Sequence, residues 1–295
     1  MTAPYFICAS SLREALEVLG ERGPELTVLA GGTDVMVQYL RGDIRPLGLL
    51  HICTIPELRT RAFTQRTHLG ALTTHRELVT DLEVRRRHPA LAEAAATVGG
   101  RQTQNVGTMA GNLVNASRAA DLLPVMLVSD GTVTLASNSG GREMPVAEFV
   151  LGRRRTARRD DELVTALSFT PLPARAGETY LKIGRRHAME VAIVGLAARL
   201  AFDAEGTVVE ARLALASAGP RPFRAKQAEA CLVASRLDPD SVLEAGGLLM
   251  EASQPIDDAR ATADYRRHVL PAMLARSVET CRQRAFGGGL VPHAT

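Results

Sequence analysis

The chain has 295 residues, about two domains' worth of sequence and enough to bury a sizeable core. With 46% apolar and 23% charged residues and a mean hydropathy near zero, the composition excludes disorder and low complexity and points to a soluble globular protein. A net charge of +3, no Trp and 4% aromatics leave little material for stacking bases, so no nucleic-acid partner is expected.

The apolar run from Met189 to Ala198 is broken by Glu190 and closed by Arg199, well short of the ~20 residues of a membrane span. The first twenty residues are acidic and amphipathic where a secretory signal would be basic and then apolar, which predicts a cytoplasmic protein. Cys8, Cys53, Cys231 and Cys281 are widely separated, as expected of thiols in a reducing compartment, and no C-x-x-C pair seeds a zinc or iron–sulfur site.

In chain order, Ser11-Leu-Arg-Glu14 has the form of a capping box, and Leu12, Ala15, Leu16 and Leu19 follow at helical spacing until Gly20. Leu26 to Leu29 reads as a buried strand running into Ala30-Gly31-Gly32-Thr33-Asp34. Leu47 to Ile55 and Thr67 to Leu72 are further strands. Thr74-His-Arg-Glu77 opens a helix predicted to run through Leu82 to the basic run Arg85 to Arg87. Pro89 to Val98 is helical, Gly99-Gly100 breaks it, and a long polar stretch follows to Asn115. Ala119 to Val128 returns to helical spacing. Gly131 to Ala136 and Glu162 to Phe169 read as strands around a turn-rich, arginine-rich segment.

Pro171-Leu-Pro173 and Ala174 to Gly177 form the linker candidate. Beyond it, strands at Thr179 to Ile183, Ala192 to Phe202 and Thr207 to Ala216 precede helices at Ala225 to Leu232, Ser241 to Ala252 and Ala259 to Arg284, an α+β order. These readings predict one domain over 1–175, with subdomains of about 1–57 and 58–175, and a second over 178–285. Residues 286–295, with the run Gly287 to Gly289, are expected to be a mobile tail.

Two glycine-bearing segments carry the chemistry: Ala30 to Asp34, and Asn105 to Asn112. Glycines let the backbone approach an anion, and successive N–H groups beside a hydroxyl can cradle phosphate oxygens. Neither segment is a Rossmann or P-loop fingerprint. Either one alone reads more often as a plain tight turn; together they suit a diphosphate. Asp121 opens a helix, where it either answers the helix dipole or accepts a ribose or ribityl hydroxyl. Strand alternation would place Lys182 and Arg186 on one face, as a solvated edge or as cations near a ligand. Arg153, Arg154, Arg155, Arg158 and Arg159 form a dense charge run, read as a solvated loop or a docking surface for a partner subunit. His51, His68, His75 and His187 show no metal-ligand spacing, and no serine sits in a nucleophile elbow. Neither a metal site nor a catalytic residue is assigned.

With these residues in order, the chain resembles the FAD-binding medium subunits of the molybdenum hydroxylases, the family of xanthine dehydrogenase and aerobic carbon monoxide dehydrogenase. Four motifs carry the likeness across nearly the whole chain: Ala30-Gly-Gly-Thr-Asp34, Leu69-Gly-Ala-Leu-Thr-Thr74, Asn105 to Asn112 with Ala119-Ala-Asp121, and Lys182-Ile-Gly-Arg-Arg186 with Glu190-Val-Ala192. Three positions depart from the family's usual wording. Ala110-Gly111 replaces Gly-Gly, Arg118 stands where Pro is common, and Glu190 replaces Asp. Arg118 either adds a cation near the cofactor or is solvated.

The resemblance implies an α+β fold: a vanillyl-alcohol-oxidase (PCMH)-type FAD-binding domain in two subdomains, followed by a smaller α+β flavoprotein C-terminal domain. It implies cofactor contacts from Ala30, Gly31, Gly32, Thr33, Asp34, Leu72, Thr108, Ala110, Gly111 and Asn112, a hydroxyl contact from Asp121, and Lys182 beside the flavin ring, where a cation would favour the reduced state. It also implies FAD in this chain, a small [2Fe–2S] subunit, a large molybdopterin subunit, and electrons passing through FAD to an external acceptor. A self-sufficient FAD-dependent oxidase or dehydrogenase of the same fold and a nucleotide-binding or scaffolding module that has lost flavin are the competing readings. The short region after 178 counts against the first, and Ala110 and Arg118 are what would favour the second.

Overall fold

The computed structural model describes residues 4–186 and 189–287. Strands β1 (Tyr5–Cys8), β2 (Leu26–Leu29) and β3 (Gly48–His51) form a parallel sheet in the order β1-β3-β2. Helices α1 (Leu12–Arg22) and α2 (Val35–Arg41) make the crossovers that parallel strands require. Ser11 caps α1 by accepting the Glu14 N–H at 3.2 Å. The helix continues through Gly20, because one interior glycine costs only about 1 kcal/mol and Ala15 and Leu19 are buried.

The second sheet is antiparallel, with the order β4-β5-β10-β6-β7. Its strands are β4 (Arg61–Phe63), β5 (Thr67–Gly70), β6 (Thr132–Ser137), β7 (Gly140–Pro145) and β10 (Leu163–Phe169), and β8 (Val150–Gly152) with β9 (Arg155–Thr156) forms a separate ribbon. Between β5 and β6 lie six helices: α3 (His75–Thr80), α4 (Leu82–Arg87), α5 (Pro89–Ala96), α6 (Arg101–Val106), α7 (Met109–Val114) and α8 (Leu122–Val128). A short α9 (Val146–Phe149) follows β7.

Here the structure differs from the sequence reading. The helix expected from Thr74 to Arg87 is two, because Asp81 adopts extended backbone and its carboxylate accepts the Glu83 and Val84 N–H groups at 2.8 and 3.1 Å, capping a new helix. The polar stretch after Gly100 holds α6 and α7, each six residues and too short to display a hydrophobic period. The arginine-rich segment holds β7, α9 and the β8–β9 ribbon.

The third sheet, β11 (Ala176–Ile183), β12 (Val194–Phe202), β13 (Val208–Ala216) and β14 (Phe223–Arg224), is antiparallel in sequence order. Helices α10 (Lys226–Leu232), α11 (Pro239–Ala252), α12 (Ala263–His268) and α13 (Leu270–Phe286) follow it. β11 begins inside the expected linker, where Gly177 packs on the Cys281 backbone with no room for a Cβ. The single helix expected from Ala259 to Arg284 is divided at Val269, with Pro271 in the first turn of α13, a position that needs no N–H. Phe286 ends α13 against the Phe202 ring, 5.3 Å between centroids. Of the tail expected at 286–295, residues 288–295 lie outside the described residues.

One apolar core unites the first two sheets with the helices between them; another lies between the third sheet and α10, α11 and α13. They are stitched through α5. Buried Glu178 on β11 accepts the Ala90 N–H at 3.2 Å and faces Arg199 at 3.5 Å, while Glu93 accepts from the Tyr180 N–H at 2.9 Å and pairs with Arg284. Burial pushes the Glu178 carboxyl up to about 7, with Arg199 pulling it back.

Candidate functional site

A cleft of about 580 Å³, a size typical of cofactor pockets, opens between the first two sheets and is walled in part by Met189 to Val191 from the segment between β11 and β12. Gly31 to Asp34 line it from one side and Thr108 with Ala110 to Asn112 from the other. The two segments are in direct contact: a Cβ on Gly31 would overlap the Val106 carbonyl, so only glycine lets the turn after β2 seat against the end of α6. Gly107 likewise leaves room for Thr33 and the His75 ring. Gly32 takes a left-handed conformation at φ +72°.

The first turn is rich in idle donors. The N–H groups of Gly31, Gly32, Thr33 and Asp34 reach no acceptor among the described residues. Main-chain donors rarely stay unpaired away from water, and four in succession at the wall of a cleft suit the oxygens of a diphosphate. Asp34 stands at the rim, where the surrounding protein raises its carboxyl and Arg154 partly lowers it.

The second turn is partly committed to its own scaffold, although the Thr108 and Ala110 N–H groups also reach no acceptor among the described residues. Thr108 Oγ1 accepts the Gly111 N–H at 3.0 Å, Met109 N–H donates to Thr73 O at 2.9 Å, and His75 N–H donates to Gly107 O at 3.0 Å. A bridge pairs Thr108 with Thr74, whose own capping box with Glu77 starts α3. Besides those two N–H groups, this turn offers the cleft a side chain: Asn112 Oδ1 is buried without a partner among the described residues. His75 also lines the cleft. Burial holds its pKa down to about 4, so the ring is neutral near pH 7.

At another wall, Asp121 precedes α8 without capping it. Its Oδ1 accepts the Tyr180 hydroxyl at 2.7 Å and its Oδ2 the Lys182 ammonium at 2.9 Å, while Lys182 also donates to Thr97 O at 2.9 Å. Burial raises the Asp121 carboxyl and Lys182 lowers it. Carboxylate oxygens carry two lone pairs each, so Asp121 keeps acceptor capacity toward the cleft it lines. Gly195 on β12 makes the space that the Tyr180 hydroxyl fills.

Of the residues expected from the sequence, Ala30 to Asp34, Thr108, Ala110 to Asn112 and Asp121 line the cleft. Leu72 lies behind it in the core, 1% exposed, and Lys182 reaches it through Asp121. Arg186 is beyond the end of β11, so strand alternation does not relate it to Lys182; it pairs with Glu190 at 3.4 Å. Arg118 is neither solvated nor at the cleft wall: it pairs with Asp258 at 3.5 Å, beside Arg260 and buried Arg266. His187 lies outside the described residues. Among the described residues no group of three or more His, Cys, Asp and Glu is placed to hold a metal ion.

Three contributors escaped sequence reasoning. Tyr180 alternates with Lys182 on β11, a period-two signal that was present but unused. His75 lies inside a capping box, and Arg158 inside an arginine run, so neither carried a local mark of the cleft.

By fold and site, then, this is an α+β protein with a cofactor-sized cleft walled by two glycine-bearing turns. Residues 2–172 match the family described as the FAD binding domain in molybdopterin dehydrogenase, and residues 179–281 match the CO dehydrogenase flavoprotein C-terminal domain. The chain belongs to this family and is an FAD-binding oxidoreductase subunit of molybdenum hydroxylase type. It is 30% identical to the xanthine dehydrogenase FAD-binding subunit of Escherichia coli O157:H7, covering 95% of this chain and 96% of that one. It is also 30% identical to the 6-hydroxypseudooxynicotine dehydrogenase complex subunit alpha of Paenarthrobacter nicotinovorans, covering 95% of each. Among solved structures, carbon monoxide dehydrogenase from Hydrogenophaga pseudoflava superimposes with a TM-score of 0.92 at 27% identity, covering 96% of this chain and 98% of the other. No helix among the described residues is long and apolar enough to cross a membrane.

Proposed function

We propose that this chain is the electron-transferring medium subunit of a cytoplasmic, heteromeric molybdopterin-dependent hydroxylase or dehydrogenase. Electrons arrive from [2Fe–2S] clusters of a small partner subunit, after substrate oxidation in a large molybdopterin subunit, and leave to an external acceptor. The chain divides for this work into an FAD-binding domain over 1–175 and a second domain over 178–285. When bound, FAD joins one-electron donors to two-electron acceptors.

The residues divide the labour by chemistry. The N–H groups of Gly31 to Asp34 bind the diphosphate. The unsatisfied amide of Asn112 takes a further hydrogen bond from the cofactor. Asp121, oriented by Tyr180 and Lys182, accepts a cofactor hydroxyl. Neutral His75 fills the wall without adding charge beside the bound anion. Lys182 acts as a positioning residue through Asp121.

The observation that carries this reading is the convergence of Gly31–Asp34 and Thr108–Asn112 on one cleft. Affinity purification of the tagged chain from its native host should yield a yellow protein with oxidised-flavin absorbance, together with an iron–sulfur chain and a molybdopterin-containing chain. A colourless protein that takes up no added FAD would overturn the cofactor assignment, and a yellow chain that purifies alone would overturn the heteromer.

A further inference from the structure

The cleft has two unlike ends. Gly31 lies five residues beyond the start of β2 at Leu26, about 16 Å along extended chain. At that start, Gly23 packs on the backbone of Asp160 and Asp161, which closes the cleft there, and Leu26, Leu163 and Val164 line it with 7%, 3% and 4% exposure. The other end is lined by Met189 and Val191, which are 65% and 50% exposed.

A dinucleotide held by its diphosphate at the central turns must send one half toward each end. The electron-transferring ring has to meet partners, so it belongs at the open end. The half that does no chemistry, adenosine, belongs at the closed one.

Arg158 lines the closed end. Its Nη1 donates to Glu162 O at 2.8 Å and Asp160 O at 3.4 Å, while Nε and Nη2 reach no acceptor and the guanidinium pairs with no carboxylate among the described residues. Burial lowers its pKa, with Asp160, Glu162 and Asp161 acting in the opposite direction. A desolvated cation with spare donors is costly unless something else uses them. The apolar walls admit a flat ring, and a planar guanidinium matches the in-plane acceptor nitrogens of a purine and can also stack on its face.

Building on the proposed function, we infer that Arg158 recognises the adenine of FAD and sets the preference for the dinucleotide over FMN. The bulk of the arginine run, Arg153 to Arg155 and Arg159, stays exposed, so this one member is separated from its neighbours by its place in the cleft.

The test uses the full-length chain stripped of flavin, with FAD, FMN and ADP as probes, followed by flavin fluorescence and calorimetry. Arg158→Gln should weaken ADP and FAD about tenfold or more, the loss expected for charge-assisted hydrogen bonds, and leave FMN within about twofold. Unchanged FMN binding also reports that the variant is folded. Arg158→Lys, which keeps charge and stem but not the planar fork, should lose ADP affinity while retaining the wild-type melting temperature. Equal loss of FMN and ADP, or ADP binding by Arg158→Gln equal to wild type, would overturn the inference. Failure of the wild-type chain to bind FAD would instead sink the function on which it rests.

Discussion

The two turns that meet in the cleft spend their hydrogen bonds to different degrees. The turn after β2 spends none of its N–H groups from Gly31 to Asp34 on the described protein, whereas the turn before α7 spends those of Met109 and Gly111 on Thr73 O and the Thr108 hydroxyl, leaves only those of Thr108 and Ala110 without an acceptor among the described residues, and is pinned to α3 by the His75–Gly107 bond. One is wholly a set of donors at the cleft wall, and the other is mainly a scaffold that holds those donors in place and adds two N–H groups and the Asn112 amide. A glycine-rich turn is therefore not a binding element by composition. What distinguishes the two is where their hydrogen bonds already go.

The largest effect should come where the turns touch. Gly31→Ala sets a methyl group into the Val106 carbonyl, a backbone atom that no rotamer change can move aside. We expect a loss of about 3 kcal/mol or more in urea unfolding, and FAD affinity lower by about a hundredfold because the turns must part. A Gly31→Ala protein that binds FAD like wild type would break the picture of a shared seat.

A comparable loss, but only in acid, should come from the scaffold turn. His75 is 3% exposed and holds a pKa of about 4 against 6.5 when unfolded. The unfolded chain therefore takes up the proton first as pH falls, and stability declines between pH 6.5 and 4, by about 3 kcal/mol, with no contribution from this ring above that window. His88, held down to about 3 by burial and by nearby Arg199, adds a slope of its own. The difference between wild type and His75→Gln in unfolding at pH 7 and pH 4 isolates the His75 share. Equal slopes in the two proteins would show that the ring opens to water.

The smallest effect sharpens the contrast. Thr108→Ala removes the acceptor of the Gly111 N–H, a helix cap worth about 1 kcal/mol, and should lower the melting temperature while FAD affinity falls less than about fivefold. If it abolishes FAD binding as Gly31→Ala should, the second turn is itself a ligand-binding element and the division of roles fails.

Much of this molecule was legible before folding. Ser11 and Thr74 cap helices where expected, Thr74 with the full reciprocal box to Glu77 and Ser11 with its hydroxyl alone, since Glu14 accepts from the Ser10 N–H instead. Other features were hidden for stated reasons. Asp81 splits a helix because its carboxylate competes with the backbone it would otherwise continue, and α6 and α7 are too short to show a period. Arg118 read either as a cation near the cofactor or as a solvated residue, yet it serves the Asp258 cluster, a partner far along the chain.

The sequence by itself determined the local geometry: where helices start, where glycine permits a tight approach, and that phosphate-type donors exist. Tertiary structure alone decided that Gly31 seats on Val106, that Asp121 is held by Tyr180 and Lys182 of the third sheet, and that one arginine of a charged run is drawn into the cleft. The physical reason is the range of the forces. Backbone preferences and caps act within a few residues and can be read in order, whereas which side chains share a desolvated space depends on how separate sheets bury their apolar faces against one another.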